Sequence, residues 1–337
     1  MRGYIINRAI IIGTLLFLLP SSGRIGIGIA FAQNNKQRPK VGLVLGGGGA
    51  KGAAHAGALE IIEEVGIPID YIAGTSIGSI VGGLYACGYR AKDIQEMFHS
   101  QEWSSLLTDR HDSLRHRVYG KDEDGVGYVF GFPVHRKGTR KADESKGIIR
   151  GDNVIELLDS MLGQYKDSMS FDKLPIPFRC VAANMAKKEE VVFKSGKLST
   201  AMRSSMSIPG VFKAVTIDSL ELLDGGMLNN LPVDIVKEMG ADIVIAIDLT
   251  QNKHEDEKSE RKNPFGIRGM VGWAIERPDL EKYQANRQHA DVYINPDLKG
   301  YGAASFKQEA IAEMILRGYA AAKKERKALE ALRNKLR

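Results

Sequence analysis

The residues best able to do chemistry in this 337-residue chain stand in three glycine-framed stretches. One is Gly74-Thr75-Ser76-Ile77-Gly78. A G-x-S-x-G pattern puts a serine on a strand-to-helix turn so tight that only glycine fits on either side, leaving the hydroxyl exposed. The helix that follows points its positive end at the serine. Read more plainly, Ser76 only caps that helix, and five residues are a weak signal in a chain with 37 glycines.

The second stretch is Gly46 to Gly52, GGGGAKG. Consecutive glycines after a strand leave backbone N–H groups bare and aimed into one small volume, which suits a phosphate or a developing oxyanion equally well. A P-loop needs serine or threonine after its lysine, and Lys51 is followed by Gly52. A dinucleotide fingerprint fits formally, through Gly47, Gly49 and Gly52 with Asp70 at a suitable spacing. An oxyanion hole needs an acyl nucleophile nearby, and the next strand supplies Ser76 at its equivalent end.

A serine nucleophile needs a base. Of seven histidines, only His55 and His289 lie near a strand end. His55 follows the glycine loop, and His289 precedes an apolar run at 291–294, where a triad histidine can sit with an acid such as Asp248. The other candidate is Asp224, in the third stretch, Asp224-Gly225-Gly226, after the apolar run 220–223. A carboxylate whose pKa is raised by a dry site can take the serine proton directly. The same tripeptide is also an ordinary turn.

These groups need elements to position them. Val41 to Leu45 reads as a buried strand, Ala53 to Val65 as a helix ended by Gly66, Ile69 to Ala73 as a second strand and Ile80 to Cys87 as a second helix. That alternation predicts an α/β fold with a mainly parallel sheet covered by helices. Further strands are expected at 127–132, 178–183, 190–193, 220–223 and 242–248. Helices are expected from 152 or 153 to 161, at 199–205, from Pro232, and as one long helix from Gln308 to Arg337. In a parallel sheet the glycine loop and the Ser76 turn share the carboxyl edge.

Residues 1–32 differ from the rest. Arg2 and Arg8 precede an apolar run, Pro20 and Ser21 break it, and Ala30-Phe31-Ala32 offers an A-x-A site. This predicts a secretory signal peptide, an exported protein, and a periplasmic or outer-membrane-associated location. Cleavage removes three arginines and lowers the formal net charge from +6 to +3. Such a mildly basic protein does not imply a nucleic-acid partner, while a membrane surface fits. Residues 33–39 read as a linker, 40–250 as the catalytic domain, and 251–337 as an extension with a charged loop, a short strand and a long helix packed on that domain. Cys87 and Cys180 sit in apolar sequence and read as buried side chains, and no metal-ligand spacing of Cys or His appears.

The three motifs, in this order and on these elements, resemble the patatin-like phospholipase family. So do the stretches 178–184 (FRCVAAN), 204–212 (SSMSIPGVF) and 230–233 (NLPV). The likeness spans about residues 40–250. It implies a three-layer α/β/α patatin-like fold, hydrolysis of lipid acyl esters, a Ser76–Asp224 dyad, and no metal or cofactor. It implies an oxyanion hole from the amides of Gly47, Gly48 and Gly49, a loop-holding role for Lys51, and supporting roles for Gly52, Gly74, Gly78, Gly225 and Gly226. Ile77, Ile208, Val211 and Phe212 are candidates for an acyl channel, although each also reads as core. Two other readings stay open: an esterase with a Ser76-Asp248-His289 triad, and a non-enzymatic phosphate- or nucleotide-binding protein using the Gly46–Gly52 loop.

Overall fold

A computed structural model describes residues 38–108, 127–129, 132–134, 149–251 and 280–336. The expected signal peptide, most of the linker, the charged loop after Gln251, and His111, His116, His135 and His254 lie outside the described residues.

Strand β1 (Val41–Leu45) is aliphatic except for one glycine and buried along its length, as a central parallel strand covered on both faces requires. The glycine loop carries it into a 3-10 turn (Gly49–Gly52) and helix α1 (Ala53–Val65), which a left-handed Gly66 ends. Then come β2 (Tyr71–Thr75), α2 (Ile77–Ala86), α3 (Ala91–Ser100) and the single turn α4 (Trp103–Leu106). β3 (Gly127–Val129) and β4 (Phe132–Val134) pair as an antiparallel hairpin where one strand was expected. α5 (Asp152–Leu162), β5 (Met169–Ser170), β6 (Phe178–Asn184), β7 (Glu189–Phe193), β8 (Ser195–Gly196) and α6 (Leu198–Ser205) follow. After them come β9 (Val215–Ile217), β10 (Leu220–Asp224), α7 (Val233–Glu238) and β11 (Ile243–Ile247). The described chain closes with α8 (Leu280–Gln288), β12 (Val292–Ile294), α9 (Gln308–Lys324) and α10 (Arg326–Lys335).

The main sheet runs β12-β11-β1-β2-β6-β10-β9, with β7 also on β6. Strands β12 to β6 are parallel, and β7, β9 and β10 join antiparallel. Alternate side chains leave opposite faces. Leu43, Leu45, Ile72 and Ile245 pack with Leu59, Leu84 and Met314 of α1, α2 and α9. Val44, Ala73 and Val244 pack with Val233 and Val236 of α7 and Tyr283 of α8. Both faces are therefore covered, giving the expected three-layer α/β/α architecture.

Sheet register brings the chemistry together. The last β2–β6 pair is Thr75 with Val181. One residue on, Ala182 pairs with Asp224. Because β7 holds the other edge of β6 through this stretch, β10 takes up the edge that β2 leaves. The chain leaving β2 at Ser76 thus meets the end of β10 at Asp224.

The expected single C-terminal helix is two helices, broken at Glu325. The bend brings Leu329, Leu332 and Leu336 onto the core, where Arg326 pairs with Glu64. α9 lies directly on α1, since a Cβ on Gly318 would run into the Ala54 carbonyl and one on Gly57 into the carbonyl of Ile315. Neither backbone can retreat without opening the core behind it. Gly318→Val is therefore expected to destabilise the protein by roughly 2–3 kcal/mol, as overpacking of tight contacts does. A urea titration checks this, and an unchanged midpoint would show that the two helices separate freely.

Candidate active site

Ser76 occupies the turn between β2 and α2 with φ 54° and ψ −126°. A non-glycine residue at positive φ costs on the order of 1–3 kcal/mol and persists only where its surroundings over-determine it. Here they do. A Cβ on Gly74 would strike the Gly78 carbonyl, and one on Gly78 the carbonyl of Leu45, so no other residue allows this turn. The Ser76 amide donates to Ser205 Oγ at 2.8 Å, and Ser205 Oγ donates to the Val181 carbonyl at 2.5 Å. Ser79 Oγ donates to the Ser76 carbonyl at 2.6 Å.

The Ser76 hydroxyl donates to Asp224 Oδ2 at 2.7 Å. Asp224 Oδ1 accepts the Gly226 amide at 2.8 Å, so the Asp-Gly-Gly turn holds one carboxylate oxygen and leaves the other for the serine. Gly225 sits beneath this turn, pressed on the Val181 carbonyl. Asp224 is buried at 4% exposure. Burial pushes its pKa up to about 6, against the opposing pull of the Ser76 and Gly226 hydrogen bonds. A carboxylate raised this far is a better proton acceptor than an exposed one while still ionised at neutral pH.

The glycine loop lies against the same serine: a side chain on Gly47 would meet Ser76 Cβ at 3.1 Å. The amides of the three expected oxyanion donors differ in their partners. The Gly47 amide is spent on the Asn230 carbonyl at 3.2 Å, whereas those of Gly48 and Gly49 make no hydrogen bond to a described residue. The loop is braced on both sides. Asn230 holds Gly47, and the Ala50 amide donates to the Ala303 carbonyl at 2.8 Å. Lys51 is buried within the 3-10 turn, and Gly52 packs against the side chain of Ile77.

His55 is no base for Ser76. It is fully buried with Nε2 2.8 Å from the Gly46 carbonyl. Burial pushes its pKa down to about 4, so the ring is neutral and Nε2 donates, pinning the start of the loop. The triad reading fails on geometry. The Ser76 hydroxyl goes to Asp224, His289 is exposed at the end of α8, and Asp248 accepts the Tyr283 and Tyr293 hydroxyls and the Thr250 amide. The dinucleotide reading fails too. Asp70 sits at the start of β2, beside Val41, at the sheet edge opposite the glycine loop. Its carboxylate is taken by Arg38 at 2.7 Å, Lys40 at 3.2 Å and the Val41 amide at 2.8 Å.

Ser76 and Gly49 open on a cavity of about 610 Å³, a size suited to a small organic ligand. Ile77, Ile208, Val211 and Phe212, the channel candidates, all line it. The sequence reading missed the rest of its wall: α3 and α4 with Trp103, α5 with Leu157 and Leu158, and Ala303, Ala304 and Phe306 of the strap 300–307 that leads into α9. Arg203, buried on α6, ties this wall together. It donates to the carbonyls of Arg150 and Lys213, at 2.7 and 3.0 Å, and stacks over Phe212.

A family model described as patatin-like phospholipase matches residues 43–237, from β1 through α7 and so across all three motifs. The chain belongs to the patatin-like phospholipase family. Its relatives include "Lysophospholipase nte1" of Aspergillus fumigatus, 34% identical over 211 residues, which are 62% of this chain and 12% of that protein. "Patatin-like phospholipase domain-containing protein 6" of Mus musculus is 32% identical over 218 residues, 64% of this chain and 14% of the relative. An uncharacterized NTE family protein of Mycobacterium bovis is 32% identical over 214 residues, 63% and 49% of the two chains. This chain thus spans about an eighth to a half of these curated relatives. What it shares with them is the patatin-like domain. Extension residues 280–336, which build α8, the strap and α9, lie beyond the family match.

Proposed function

We propose that this chain is a serine lipid hydrolase, phospholipase A-like, that cleaves carboxylic esters through a Ser76–Asp224 dyad and an acyl-enzyme. The observation that carries this reading is the 2.7 Å hydrogen bond from the Ser76 hydroxyl to a buried carboxylate, beside a largely apolar cavity that Ser76 lines. Family membership and the relatives' names support a lipid as substrate.

In the first step Asp224 accepts the Ser76 proton while Ser76 Oγ attacks the ester carbonyl. The Gly48 and Gly49 amides receive the oxyanion, each such donor being worth about 3 kcal/mol or more in the transition state. Asp224 returns the proton to the departing alcohol, leaving the acyl chain on Ser76. Water then gives its proton to Asp224 and attacks the acyl carbon, which frees the fatty acid and restores the serine. We place this chemistry in an exported protein, periplasmic or outer-membrane-associated, that meets its substrate at a membrane surface and needs no nucleic acid, metal or cofactor.

A fluorophosphonate probe tests the reading, since it reports an activated serine without needing the true substrate. The purified protein is expected to be labelled, and Ser76→Ala to escape. Asp224 must be ionised to act, so the labelling rate is expected to fall about tenfold per pH unit below about 6. A wild type that is not labelled, or is labelled at an undiminished rate at pH 4.5, would sink the dyad.

A further inference from the structure

The cavity beside Ser76 is closed on one side by a wall that lies outside the family match. Residues 300–307 form a tight strap: the Ser305 amide donates to the Gly302 carbonyl at 3.1 Å, and the Gly302 amide to Ser305 Oγ at 3.0 Å. One end of the strap is fixed to the oxyanion loop through the Ala50–Ala303 hydrogen bond. The other runs into α9, which is locked on α1 by the glycine crossing. Between these anchors Phe306 turns into the cavity and stacks on Trp103, ring centroids 4.9 Å apart. Trp103 is itself held from behind. Its indole N–H donates to the Phe98 carbonyl at 2.8 Å, and its ring stacks on Phe98 at 5.4 Å.

An aromatic pair anchored at both ends does not yield to a growing ligand as a loose side chain does. Phe306 is partly buried, packed against the core while also lining the cavity.

We propose that Phe306, stacked on Trp103, is a specificity-determining residue that sets how long an acyl chain the Ser76 cavity accepts. The ligand is a single unbranched chain held against this wall. The inference rests on the hydrolase reading for its catalytic consequence. Its physical content, a ruler built by the strap, is measurable without hydrolysis.

Two arms test it on the full chain. In the first, kcat/KM is compared for butyrate, laurate and palmitate p-nitrophenyl esters with wild type, Phe306→Ala and Phe306→Trp. Each methylene that gains or loses burial changes binding about fourfold. Phe306→Ala is expected to raise the palmitate-to-laurate ratio roughly tenfold, the worth of one to two methylenes, and Phe306→Trp to lower it. An equal fall for all three esters in Phe306→Ala would make the residue a brace for the loop and overturn the proposal.

The second arm uses Trp273→Phe, which leaves Trp103 as the sole tryptophan. Brominated fatty acids are expected to quench its fluorescence saturably, with a chain-length optimum that Phe306→Ala moves upward. Quenching with that shift, in a wild type that cleaves no ester, would sink the hydrolase and leave the ruler standing. No quenching at any chain length would overturn the ruler whatever the hydrolysis shows.

Discussion

Ser76→Ala, Asp224→Asn and the double variant are each expected to lose about the same activity, roughly 10⁴-fold in kcat. Groups that act as one unit are removed once, so the second deletion costs little. The Asp224→Asn case follows from the hydrogen bonds. The Gly226 amide requires an acceptor, which places the asparagine Oδ1 there and turns its NH₂ towards Ser76. A donor then faces the serine oxygen where an acceptor stood, and no group is left to take the proton. The Gly48 and Gly49 amides survive in every variant, so a residual rate above that of water is expected in all three. Single-turnover assays on one ester would check the series. Losses that multiply in the double variant would mean that Asp224 and Ser76 act independently. Full activity in Asp224→Asn would return the base to another residue.

The parts of the site that were legible in the sequence are those where backbone geometry forbids substitutes. Gly74 and Gly78 are dictated by contact with neighbouring carbonyls, and the Asp-Gly-Gly turn by the need to aim an amide at Asp224. Such constraints write themselves as fixed residues at fixed spacing. The aliphatic strands β1 and β11 were legible for the related reason that a strand buried on both faces must be apolar throughout.

What was not legible depends on pairings remote in sequence. Nothing local shows that Asn230 takes the Gly47 amide, 183 residues away, or that Ser205 holds the Ser76 amide from α6. Both lie in stretches that carry the family resemblance, without any sign of what they hold. The cavity wall was missed for a different cause. Helix α3 is strongly amphipathic but short and polar on one side, and the strap before α9 has no regular hydrogen bonding to leave a period. The single long C-terminal helix was expected because residues 308–335 are rich in good helix formers and contain no proline. The break at Glu325 is imposed by tertiary packing, which overrides propensity.

The buried carboxylate proposed as the base for Ser76 also weighs on the fold, and Asp224→Asn is expected to stabilise the protein while it abolishes catalysis. The folded-state pKa of about 6 lies above the ordinary aspartate value of 3.8. Below 3.8 the group is protonated in both folded and unfolded chains and costs nothing. Between 3.8 and about 6 the folded chain holds a proton that the unfolded chain has released, so stability falls as pH rises. Above 6 the full cost of the buried charge is present, about 3 kcal/mol at 1.36 kcal/mol per pH unit. Asparagine keeps the shape and the Gly226 hydrogen bond but cannot ionise. Urea denaturation should therefore show Asp224→Asn more stable than wild type by about 2–3 kcal/mol at pH 7.5, with the gap closing towards pH 4. Other carboxylates titrate in both proteins and cancel in this difference. A gap that stays constant with pH would assign the gain to packing and remove the raised pKa on which direct proton transfer to Asp224 depends. A gap that closes on acidification would make Asp224 a residue held at the expense of stability, the trade expected where a base must sit dry and uncompensated beside its nucleophile.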